Sequence, residues 1–169
     1  MLRSNAFSLA TAFAMLFAAG TALCATSEDL EAELLIALRP APSLKRQENA
    51  GAVIRKYKAE GFIPFRPKRI DYRDYYRLTK PAKVLGHELV LLEEEYMTKF
   101  IGCCVDEGAG VFVRLSGRAT TLESFAKANK CRVETFDTEE EVRKSTGVTF
   151  SLPAGSYAAL LCHARDETK

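Results

Sequence analysis

The chain has 169 residues, 47% hydrophobic and 27% charged, which suits one folded domain and excludes both wholesale disorder and a fibrous architecture. Its 24 basic and 22 acidic residues nearly cancel, and Arg3 is the single charged residue among the first 25, so no global field draws nucleic acid or another polyanion. Composition alone leaves the fold class open.

Residues 1–25 carry the three parts of a secretory signal: Arg3 in a short positive region, an apolar run from Ala6 to Ala19, then Gly20 and small residues up to Ala25. The apolar run is shorter than the roughly 20 residues that cross a bilayer as a helix, so cleavage is expected rather than a retained anchor. Residues 26–169 then form a single globular domain in the periplasm or outside the cell. The alternative is a lipid anchor through Cys24, although Thr21-Ala22-Leu23-Cys24 fits a bacterial lipobox poorly.

Ser27 is placed to cap a first helix, with Glu28 and Asp29 at its positive end, a stripe of Leu30, Leu34 and Leu38, and Pro40 as its stop. Ser43 can cap a second helix reaching Lys58 or Ala59, with Val53, Ile54 and Tyr57 inward and Gly61 past its end. Phe62-Ile63-Pro64-Phe65-Arg66-Pro67 is an extended connector, because each proline lacks a donor and restricts its predecessor. Residues 45–83 hold twelve basic and four acidic residues among six aromatics. Such a stretch can bind polyanions, anionic lipid head groups before nucleic acid in an exported protein, with Arg66, Lys68 and Arg69 as the candidates. The plainer reading is a solvated face paired with Glu93, Glu94 and Glu95, its aromatics packed inward.

Residues 84–97 are read as a strand, since Leu89 to Leu92 suits a strand covered on both faces and Gly86 suits a bulge. The helical spacing of Leu85, Leu89, Leu92, Tyr96 and Phe100 keeps a helix open. FIGCCV and VFVRL flank a glycine-bearing loop at 106–110 and are expected to pair as a hairpin. Thr120 with Glu123 forms a capping-box pattern opening a short helix; Cys131 to Phe136 alternates as a strand; Asp137 or Thr138 caps another helix. Val148 to Leu152 and Tyr157 to Ala164 read as a closing hairpin, with Ala158 to Cys162 apolar enough for a central strand. The order predicts an α+β domain, an antiparallel sheet with short helices packed on it. A small OB-like barrel with N-terminal helices is the alternative.

Without Cys24, four cysteines remain in a compartment that permits disulfides: Cys103, Cys104, Cys131 and Cys162. Cys103 and Cys104 point to opposite faces of a strand, so each more naturally meets Cys131 or Cys162 than its neighbour, with all three complete pairings, and buried thiols, left open by the sequence. The sharper reading is thiol or soft-metal chemistry by Cys103, Cys104, Cys131, Cys162, His87 and His163, centred on Cys103 and Cys104, but the CxxC spacing that lets two thiolates share a metal is missing. Glu93 and Glu95 share a strand face and could act as an acid and base, against which an exposed acidic strand end is the plainer reading. GxSxG, HExxH and phosphate-cradling loops do not occur, so no catalytic residue, cofactor or metal ligand is assigned. The expected function is a non-enzymatic binding or interaction module of the bacterial envelope, its partner an envelope protein or an anionic surface.

Overall fold

The computed structural model describes residues 26–40, 47–96 and 107–165. The export segment, Cys24, Cys103 and Cys104 lie outside them.

Two N-terminal helices, α1 (Ser27–Ala37) and α2 (Gln47–Ala59), precede a seven-stranded antiparallel sheet. The strands are β1 (Lys68–Ile70), β2 (Arg73–Arg77), β3 (Lys83–Val84), β4 (His87–Glu95), β5 (Gly108–Arg114), β6 (Arg132–Phe136) and β7 (Tyr157–His163). Helix α3 (Thr120–Asn129) comes before β6, and α4 (Glu139–Thr146) after it. Spatial order is β1-β2-β4-β5-β7-β6, with β3 also paired to β4. The sheet ends in two edge strands and is not closed, which overturns the barrel alternative and leaves the α+β arrangement.

Several local expectations change for physical reasons. Residues 108–110 are strand rather than turn, and both edges of β5 are taken, by β4 on one side and β7 on the other. The expected partner FIGCCV falls in the undescribed 97–106. The closing hairpin likewise fails because β7 pairs with β5 and β6, while 147–156 runs irregularly and buries Val148 and Leu152. The hairpin β1–β2 went unread because its charges masked the inward Tyr75.

Residues 87–95 are strand, and Gly86 sits in a two-residue turn with Leu85, both at positive φ, rather than at a bulge. The bulge lies between Leu89 and Leu91 and lets Leu89 and Leu92 enter one core while Val90 and Leu91 enter the other. Thr26, not Ser27, caps α1 in a capping box with Asp29; α3 starts without a side-chain cap because its N-cap residue is Ala119, so the Thr120–Glu123 capping box does not form. Thr138 caps α4 as expected.

The sheet has two buried faces. Leu30, Leu34, Leu38, Val53, Ile54 and Tyr57 of the N-terminal helices, with Leu122 and Ala126 of α3, cover Val111, Val113, Ala158 and Leu160 on one face. Val142 of α4, with Val148 and Leu152, covers Tyr75, Leu91, Phe112, Ala159 and Leu161 on the other. Each fully buried leucine or valine contributes roughly 1.5–3 kcal/mol. Burial on both faces explains why β7 is continuously apolar and central.

Candidate functional site

Glu93 and Glu95 alternate along β4 and project onto the α4 face. They are not an exposed strand end: Glu93 is 1% exposed and Glu95 3%. Burying two like charges is costly unless partners compensate them. Compensation comes from three neighbours. Across β2, the Arg73 Nε lies 3.3 Å from Glu93 Oε1 and 3.1 Å from Glu95 Oε2. Past the end of β7, Arg165 donates twice to Glu95, at 3.3 and 3.0 Å. From β7 itself, His163, fully buried, places Nε2 3.3 Å from Glu93 Oε1 and 3.7 Å from Glu95 Oε2.

Glu95 and His163 stand on strands that do not touch, and both are in register with Gly108 of the intervening β5. A Cβ on Gly108 would fall 2.8 Å from the His163 ring and 2.5 Å from the Cys162 carbonyl oxygen, and one on Gly110 would fall 2.6 Å from Glu93 Oε2. Two glycines therefore open the gap through which the acidic and imidazole groups meet. The ligand-type atoms of Glu93, Glu95 and His163 all lie within 4.8 Å of one another.

Electrostatics follow the geometry. Burial opposes the charge on Arg73, but Glu93, a hydrogen bond with Tyr75 and Glu95 outweigh it and raise the guanidinium's pKa. Burial, then the Glu93 charge, pushes the Tyr75 hydroxyl up to about 12. On the opposite face, burial raises the Glu94 carboxyl despite the opposing charge of Lys58.

Beside this network a cleft of about 480 Å³ opens between the β1–β2 hairpin and the end of α4. Arg73, Tyr75 and Glu95 line it from the sheet, Asp71 and Tyr72 from the hairpin turn, and 145–147 from α4. A second cleft of about 510 Å³, beside the start of α1 and Lys83, is no smaller. Only the first is backed by the buried charge network, so chemistry favours it over size.

The residues singled out from sequence are dispersed. Cys131 and Cys162 lie at disulfide distance, with S–S 2.09 Å, on the sheet face opposite His163. Their pairing replaces the expected links to Cys103 or Cys104, because the β6–β7 register that sets Arg132 against Leu161 brings Cys131 to Cys162. Arg66 and Lys68 are exposed, whereas Arg69 makes a bidentate bond to the buried Asp74 at 2.6 and 2.7 Å. His87 packs near α3, taking the Ser116 amide on Nδ1. Glu93 and His163 are 70 residues apart, a separation at which no sequence spacing signals a shared site. No family model, curated protein or solved structure matches this chain.

Proposed function

We propose that this protein is an exported binding module that takes a small zwitterionic ligand, of amino-acid or short-peptide type, in the cleft over Tyr75. The observation that supports it is the pairing of opposite charges at one cleft wall. Arg73 offers a guanidinium for a carboxylate, while the exposed Asp71 offers an acceptor for an ammonium group, with Ile70 and Tyr72 supplying apolar contact. Binding rather than turnover suits the carboxylates, whose oxygens are engaged by Arg73, Arg165 and His163 and so hold the cleft wall in place. Export rests on the signal-like residues 1–25, and a Cys131–Cys162 bridge is compatible with an oxidising compartment outside the cytoplasm.

Thermal denaturation with millimolar glycine, glutamate, diglycine and alanyl-alanine tests the reading. At least one should raise the melting temperature, as binding to the native state at about 100 times Kd adds about 2.7 kcal/mol. Ser145→Trp, which fills the cleft from exposed backbone at the end of α4, should abolish the shift while leaving the apo melting temperature within a degree or so of wild type. Unchanged melting across the panel, or a shift that survives Ser145→Trp, contradicts it. Binding to anionic vesicles lost on removal of Arg66 and Lys68 would favour the polyanion reading instead.

A further inference from the structure

The geometry points to a divalent transition-metal site formed by Glu93, Glu95 and His163, with zinc as the ion that best fits one imidazole and two carboxylates. This goes beyond the cleft reading and needs no cleft ligand. The His163 Nε2 separations from the two carboxylate oxygens are 3.3 Å, a hydrogen bond at the long end of the range centred on about 2.9 Å, and 3.7 Å, beyond it. They match the edges of a tetrahedron about an ion held at about 2.1 Å, which are about 3.4 Å. One imidazole nitrogen aimed between two buried carboxylates is the donor arrangement that a cation completes.

Two further observations support it. Gly108 and Gly110 remove the side chains that would block convergence of groups from β4 and β7, and they keep the three donors on a stiff sheet. Arg73 spans with a single Nε–H the same two oxygens, Glu93 Oε1 and Glu95 Oε2, that His163 faces. It occupies the cation's place. Its side chain is 39% exposed and borders the cleft, so it can turn outward when a metal enters, while Arg165 stays on Glu95. Two carboxylates, Arg165 and a divalent ion then carry a net single positive charge.

The test uses the full mature protein carrying Cys103→Ser and Cys104→Ser, so that those thiols cannot supply the site. Zinc is titrated against a chromophoric chelator, and cobalt(II) is added separately for its tetrahedral visible spectrum. The expected result is one equivalent bound, weakened about 100-fold or more by His163→Ala and by Glu93→Gln. Arg73→Met should tighten binding about tenfold by removing the competing cation. Should His163→Ala fail to fold, the Arg73→Met affinity and the cobalt spectrum decide. No stoichiometric metal, binding indifferent to Glu93→Gln, or weaker binding in Arg73→Met would overturn the site and leave an ion-pair network only. The thermal shifts that test the cleft ligand are recorded on wild-type protein without added metal, so the two readings fail separately.

Discussion

Gly108 and Gly110 are the residues on which the site most depends, since each stands where a side chain would collide with the carboxylate–histidine group. Gly110→Ala should cost about 1–3 kcal/mol as overpacking against Glu93 and Leu161, measured by urea denaturation, and Gly108→Ala should cost at least as much because its Cβ meets backbone. Equal stability in both variants would show that the strands have slack the register does not suggest. Two titratable residues act in opposite directions with pH. Burial raises the Glu94 carboxyl, so its contribution is fully present below the ordinary value of 4.5 and is lost as pH rises through the raised folded value. Glu94→Gln should therefore be more stable than wild type at neutral pH and converge with it in acid. Burial lowers His87, so its contribution is present above 6.5 and lost as pH falls through the lowered folded value. Geometry acts in the same direction, since Nδ1 accepts the Ser116 amide at 3.1 Å and a second proton there would break that bond. His87→Asn should lack this acid-sensitive component in denaturation curves recorded between pH 7 and pH 5.

Among elements, β6 is an edge strand tied to the sheet by β7 and by the Cys131–Cys162 pair. The pair encloses a sequence separation of 31, for which chain entropy gives roughly 3–4 kcal/mol. Peptide mapping without reductant should recover Cys131 linked to Cys162, and Cys162→Ser should lower stability by about that amount; a Cys103 or Cys104 link to either partner would contradict the β6–β7 register. How far the elements were legible follows from where their information lies. Helices α1 to α4 and strands β6 and β7 carry local patterns, such as Leu30 with Leu34 or the alternation of 132–136, and were read within a few residues. Residues 108–110 read as loop because Gly108 and Gly110 look like turn residues until their missing side chains are seen to make room for Glu93 and His163. The same gap hid the site: Glu93 and Glu95 were seen to share a face, but Arg73, His163 and Arg165 reach them only through strand order, which no local pattern encodes. His163 did carry one usable signal, since its place next to Cys162 on a strand sends the two side chains to opposite faces, as observed.

For the whole molecule, the two cores divide the work: helices α1, α2 and α3 stabilise one face of the sheet, while the face under α4 leaves room at its Glu95 end for the cleft. Among the described residues no helix is long and apolar enough to cross a membrane. The export reading predicts that protein recovered from the cell envelope begins between Leu23 and Thr26 on N-terminal sequencing, and a cytoplasmic product starting at Met1 would contradict it. The central claim, that the cleft wall built by Arg73, Glu95 and the β1–β2 turn is where a ligand binds, is tested most directly by amide NMR of the mature protein titrated with alanyl-alanine and glutamate. The account predicts saturable shifts clustered at residues 70–73, 95 and 145–147. Shifts confined to residues 66–68, or no shift at millimolar ligand, would contradict it.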